Sequence, residues 1–146
     1  MTSWRIDEAL CAAARSSTNT MSYREALPRG CPPEAAEEIV RVRDLFRLVQ
    51  SVPPRETDFS SWRAEQPQRD LPKELTECQA RGLSVYEERH DLERLLKLPK
   101  FRGRWICRLR LGAGAGRIQQ TGRPPHHTWW PLADFDILGQ CHVETA

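Results

Sequence analysis

Three groups of residues in this chain have types that could do chemistry. The first is Arg47, a guanidinium flanked by Phe46 and Leu48 in an otherwise apolar run. Successive side chains of an extended segment point to opposite faces. Arg47 therefore enters a cleft, where its planar fork of donors suits a phosphate, or it is the outward, polar half of an alternating strand. The second group is His126-His127-Thr128-Trp129-Trp130. Adjacent histidines on an extended segment diverge, which does not suit a shared metal, and no metal site is expected. A single imidazole can act as donor, base or substrate clamp, and the indoles can stack a planar ring or close a core. Residues two apart share a face, so His127 goes with Trp129 and His126 with Trp130. The expectation is that His127 and Trp129 face a cleft. The third group is the run Gly112-Ala113-Gly114-Ala115-Gly116. It lacks the Gly-Lys-Ser/Thr ending of a phosphate loop and opens no helix, so it reads as a hairpin turn.

Charge is distributed in blocks. Residues 1–93 hold 13 basic and 17 acidic groups, a net of −4, whereas residues 94–133 hold nine basic groups and no acid. The whole chain of 146 residues carries only +2. A basic block of this length favours an anionic partner, or it is a solvated face that answers the acidic N-terminal two-thirds. Its exposed candidates are Arg104, Arg108, Arg110 and Arg117.

A chain of this length with 39% hydrophobic residues supports one ordinary domain with a core. A membrane span, a collagen-like repeat and a wholly disordered chain are excluded by composition. Asp7 and Glu8 interrupt the start of the chain, which does not read as a signal peptide. The cysteines, at 11, 31, 78, 107 and 141, are odd in number, widely spaced and without a CxxC pair. They read as reduced thiols of a cytoplasmic protein.

The elements that would position these groups follow from periodicity. Residues 1–30 read as a poorly ordered lead segment with a short helix near 7–15. A single domain over 31–146 follows. Pro32 and Pro33 suit the first turn of a helix whose positive end would lie near Glu34, Glu37 and Glu38. Residues 45–49 read as a strand ended by prolines, with continuation of the preceding helix as the rival, 53–77 as a loop and 83–86 as a second strand. Leu92, Leu95 and Leu96 give helical spacing over 87–98, which Pro99 stops. In 101–111, Trp105, Cys107, Leu109 and Leu111 alternate with Arg104, Ile106, Arg108 and Arg110, the strongest strand pattern in the chain. The glycine run would fold 117–121 back on it as a hairpin, and a last strand falls near 137–143. The order predicts an α+β domain, mostly antiparallel sheet with two or three flanking helices.

In this order the pieces resemble bacterial ADP-ribosyltransferase-like domains, including RES-type toxins that consume NAD. In that family an early strand places an Arg or His in the NAD cleft, and Leu45-Phe46-Arg47-Leu48-Val49 looks like it. A later strand start carries a Ser/Thr/Tyr cluster followed by a helix, and Gly82-Leu83-Ser84-Val85-Tyr86 looks like that piece. A third element of the family supplies a polar or acidic group, for which no acidic residue stands in matching position. The resemblance implies a nucleotide-like anion, NAD, as ligand. Arg47, Ser84 and Trp129 would bind it, and Tyr86 and His127 would act on it. The alternative is a non-catalytic interaction protein that binds nucleic acid or an acidic protein through the 94–123 surface.

Overall fold

The computed structural model describes residues 22–143. The helix expected near 7–15, and Cys11, lie outside them. Within them a single seven-stranded antiparallel sheet carries short helices, an α+β domain as expected. The strands are β1 (Glu37–Glu38), β2 (Arg43–Val49), β3 (Leu83–Tyr86), β4 (Trp105–Leu111), β5 (Gly116–Gln120), β6 (His126–Pro131) and β7 (Cys141–Val143). Helices α1 (Trp62–Glu65) and α2 (Glu77–Ala80) lie between β2 and β3, and α3 (Arg89–Leu95) follows β3. The strand order is β1-β5-β6-β3-β2-β4-β7.

Alternation in the sequence explains the core. Leu45 and Val49 of β2, Leu83 and Val85 of β3, Cys107, Leu109 and Leu111 of β4, Ile118 of β5 and Trp129 of β6 pack into one buried cluster. Fully burying side chains of this size stabilises the fold by about 1.5–3 kcal/mol each. Phe59, from the loop between β2 and α1, joins the same cluster, while Trp62, three residues on, lines a cleft instead. On β4 the expected alternation holds with one exchange. Ile106 is buried and Trp105 is exposed.

Three sequence expectations are corrected. Residues after Pro32-Pro33 form turns and the two-residue strand β1, which pairs with β5. The prolines there suited a helix start, but partnership with a sheet edge decides the conformation. The glycine run makes no hairpin. The strand after it, β5, pairs with β1 and β6, and three strands separate it from β4. Gly116 has a φ of 121° and a Cβ there would collide with the backbone of Trp130, so the residue serves close packing of β5 on β6. Four of the five cysteines are paired, Cys31 with Cys78 and Cys107 with Cys141. Wide spacing hid these bonds, since partners 47 and 34 residues apart meet only through the fold. The cytoplasmic expectation loses the reduced thiols on which it rested. Among the described residues no helix is long and apolar enough to cross a membrane.

Residues 22–30, placed by sequence in the lead segment, lie against the sheet. Tyr23 bridges to Leu132, and the Arg24 amide donates to the Pro131 carbonyl. The Arg24 side chain donates to the Phe59 and Glu56 carbonyls and pairs with the Glu56 carboxylate. Cys31–Cys78 ties this segment to α2. Thr76 caps α2 by accepting from the Gln79 amide, and the Trp130 indole N–H donates to the Cys78 carbonyl at 2.9 Å. Glu77 then binds two arginines, accepting from Arg63 and from Arg81 at 2.8 Å each.

Closing a loop between residues 47 apart constrains the unfolded chain. Replacing Cys31 and Cys78 together with serine should lower unfolding free energy by about 4 kcal/mol in urea titrations on the loop-entropy scale. Hydrogen bonds from Arg63 and then Arg81 hold the Glu77 carboxyl down at about 2 from its ordinary 4.5. A depressed carboxyl stabilises the fold above its unfolded pKa, and that stability is lost as pH falls toward the folded one. Glu77→Gln should therefore melt below the natural protein at neutral pH. The gap should close as pH drops from about 4.5 to about 2. A constant gap across that window would remove the two-arginine clasp as a pH-dependent element.

Candidate functional site

Strands β2 and β3 are neighbours through a single pair, Phe46 opposite Tyr86, whereas β2 and β4 run together from Arg43–Leu111 to Val49–Trp105. At that narrow seam a cleft of about 320 Å³ opens, a size in the range of small-molecule sites. Its walls come from β2, β3, β6, the helices α1, α2 and α3, and the turn before β4. Gly82 lies at its edge, where a Cβ would overlap the Thr128 methyl.

Arg47 spans the seam. Its Nε donates to the Asp58 carbonyl at 3.2 Å, Nη1 to the Ser84 carbonyl at 2.8 Å and Nη2 to the Ser60 carbonyl at 3.4 Å. Asp58 is fixed in turn because its carboxylate accepts from the Gln50 and Arg55 amides. A guanidinium has five N–H donors, so one remains on each terminal nitrogen, beside the cleft. Burial pushes the Arg47 pKa down to about 10, below the ordinary guanidinium value. Glu65 and Asp58 oppose the shift and Arg104 adds to it. Arg104 lines the same cleft, its guanidinium 5.2 Å from the centre of the Phe101 ring. Glu65, at the end of α1, lines it too.

The opposite wall is polar and aromatic. Ser84 and Tyr86 of β3 face Thr128 and His126 of β6 in register. The Tyr86 and His126 rings meet edge to face at 5.2 Å. His126 Nδ1 lies 3.0 Å from the Thr121 carbonyl and 3.1 Å from the Thr121 hydroxyl. The Thr121 hydroxyl is also 2.7 Å from that of Thr128. On the other side of the ring, His126 Nε2 lies 2.9 Å from Ser84 Oγ. Burial lowers the His126 pKa, against the Thr121 carbonyl and with a smaller push from His127. Burial also raises the Tyr86 pKa, aided by Asp91 and opposed by Arg47.

Arg47, Ser84 and Tyr86, expected in the site, thus line one cleft, and Arg104, expected on a basic outer surface, lines it with them. His127 and Trp129 do not line it. Trp129 is wholly buried and donates its indole N–H to the Ala115 carbonyl. His127 is buried against Pro125 and Glu87, with Nε2 3.1 Å from the carboxylate. The expected direction is reversed for His126 alone: the register with β3 sets it beside Tyr86 at the cleft and sends His127 to the side of Val85, whereas Trp130, grouped with His126 by alternation, is buried and donates to the Cys78 carbonyl. The basic run does not assemble into one surface. Arg108 and Arg110 are on β4, where Arg110 pairs with Asp44, and Arg117 is on β5. His126, which the sequence groups with Trp130 on the face away from the expected cleft, is the imidazole that lines it. Glu65 carried no local signal, since it reaches the cleft only through the fold of the loop. Among the described residues no cluster of His, Cys, Asp and Glu could hold a metal.

No protein-family model matches the chain, and neither the curated proteins nor the solved structures compared with it give a match.

Removing Arg47 leaves three carbonyls without their charged donor. Arg47→Ala should cost about 2–4 kcal/mol of stability by chemical denaturation. Arg47→Lys should recover only part of it, because one ammonium cannot reproduce a fork shared among three acceptors. Full recovery by lysine would show that the charge, and none of the geometry, is what the seam requires.

Proposed function

We propose that the cleft binds a nucleotide-like anion, with NAD as the ligand, and that its chemistry is breakage of the nicotinamide–ribose bond. The observation that carries this reading is the like-charge pair Arg47 and Arg104 in one cleft with the Tyr86 and His126 rings. Arg104 lowers the Arg47 pKa, a repulsion that an anion between the two guanidiniums would relieve. Arg104 has only the Phe101 ring as a partner among the described residues, so its donors are open to a phosphate. Tyr86 and His126 offer faces and edges to a planar base. The resemblance drew Arg47, Ser84 and Tyr86 from two separate stretches of sequence, and their convergence supports it.

In such a reaction the bond from ribose C1′ to the pyridinium nitrogen breaks and its electron pair stays on nicotinamide. Water or an acceptor hydroxyl then adds to C1′ and releases a proton. The Glu65 carboxylate supplies the negative charge that an oxocarbenium-like ribose calls for, the group the sequence left without a candidate. The two disulfides favour an oxidising compartment as the place where the chain folds. Binding of nucleic acid or an acidic protein by the basic run has less support, since three strands separate Arg117 from Arg108 and Arg110.

NAD titration should saturate, and incubation should release nicotinamide. Arg104→Gln should weaken binding about ten- to a hundredfold, the worth of a charged hydrogen bond. Its unfolding free energy should stay within about 0.5 kcal/mol of the parent. Absence of saturable binding by the folded protein sinks the NAD reading.

A further inference from the structure

We infer that Ser84 Oγ is a nucleophile with His126 as its general base, and that the cleft carries out acyl transfer from a carboxylic ester whose carrier bears negative charge. The inference shares the arginines of the reading above and does not depend on its NAD chemistry. It stands on the hydrogen-bond chain from Ser84 through His126 to Thr121. A carbonyl only accepts, so the contact from Nδ1 to the Thr121 carbonyl at 3.0 Å places the ring hydrogen on Nδ1. Nε2 is then the acceptor, and at 2.9 Å the Ser84 hydroxyl donates to it. Nucleophile, base and a group that fixes the base are the parts of an activated hydroxyl, here with a backbone carbonyl as the orienting member. The Tyr86 ring holds the imidazole edge to face. Burial keeps that imidazole in its neutral, proton-accepting form.

Ser84 is also reachable. Its residue is exposed and lines the cleft, unlike the fully buried Leu83 and Val85 on either side. The donors for a developing oxyanion are at hand. Arg47 Nη1 already sits 2.8 Å from the Ser84 carbonyl, and each terminal nitrogen keeps one N–H. Arg104 in the same cleft gives the preference for an anionic carrier.

The step balances without a further reagent. Ser84 Oγ bonds to the ester carbon while its proton passes to His126 Nε2, and the carbonyl electron pair moves to oxygen. As the carbonyl re-forms, the bond to the carrier oxygen breaks, and that oxygen leaves with the electron pair and takes the proton from His126. Water, deprotonated by the same nitrogen, then releases the acid from Ser84.

A fluorophosphonate probe tests this directly on the full chain. Oγ forms a bond to phosphorus, fluoride departs with the pair, and the proton goes to His126. Intact mass followed by peptide mapping should show one adduct, on Ser84, absent from Ser84→Ala. His126→Gln should slow labelling about a hundredfold or more, the usual contribution of a general base. Ser84→Cys should instead be alkylated by iodoacetamide faster than the same variant carrying His126→Gln, a comparison within one folded background. The acetyl ester of 5-hydroxy-2-nitrobenzoate, whose leaving phenol carries a carboxylate, should be hydrolysed faster than 4-nitrophenyl acetate, whose leaving phenol carries none. No adduct on Ser84 in the folded natural protein overturns the inference, as does labelling at an unchanged rate in His126→Gln. Preference for the neutral ester overturns the anionic carrier. NAD titration of the same samples separates the two readings. An adduct without NAD binding leaves this inference standing, and NAD binding without an adduct leaves only the other.

Discussion

The guanidinium of Arg47 holds the molecule together at its weakest joint. The sheet is continuous on either side, β2 with β4 and β3 with β6, but β2 and β3 share one residue pair. Backbone groups that cannot pair across such a seam need other partners. Arg47 supplies one by donating to the Ser84 carbonyl, and it also collects the Asp58 and Ser60 carbonyls of the loop that folds over the gap. A strand pair with a full ladder would leave no cleft. A seam without a strong donor would leave several carbonyls unsatisfied. One arginine in an apolar strand reconciles the two demands, and it does so at the cost of partial desolvation, visible in its lowered pKa.

The wall opposite that seam is assembled from segments with little structure of their own. Helices α1 and α2 have four residues each, too short to persist by propensity. They are fixed by particular bonds. Ser61 caps α1 by accepting from the Ala64 amide, and its hydroxyl is bound to the Glu25 carboxylate. Thr76 and Gln79 close a capping box on α2, Glu77 clasps Arg63 and Arg81, and the Cys31–Cys78 bond joins α2 to the segment before β1. Residues 22–31 therefore belong to the domain that they enclose. A loop rich in proline and charge becomes a rigid cleft wall through long-range polar links, which composition does not disclose.

What the sequence discloses and what it hides divide along the same line. The strands expected over 45–49, 83–86 and 101–111 are found at Arg43–Val49, Leu83–Tyr86 and Trp105–Leu111, because short apolar and alternating runs are local signals, and α3 was legible from its leucines and Pro99. The α+β class followed from their order. Pairing was not legible. The glycine run joins β4 and β5 in sequence, yet β2, β3 and β6 all lie between them. The cysteine pairs and Glu65 depend on the same non-local geometry. For the candidate site, alternation grouped His127 with Trp129 and left their direction open. Which face is the cleft is fixed by a partner strand some forty residues earlier, through the pairing of Tyr86 with His126. Arg47 is legible as an ionic group in an apolar strand, and that conflict between local environment and residue type marks the joint of the fold.

The electrostatics of the cleft tie the two proposed chemistries to one physical cause. A buried imidazole resists a proton, and its ring hydrogen already satisfies a carbonyl, so its free nitrogen is a base near neutral pH. His127 adds a smaller push in the same direction, and the Thr121 carbonyl opposes it. Arg47 and Arg104 line the same cleft, and Arg47 keeps one N–H on each terminal nitrogen beyond its three carbonyl bonds. Both proposals therefore rest on one arrangement, a neutral imidazole and two cations in one cleft. The guanidiniums would meet the negative charge of the ligand, and the ring would stack its base or take the Ser84 proton.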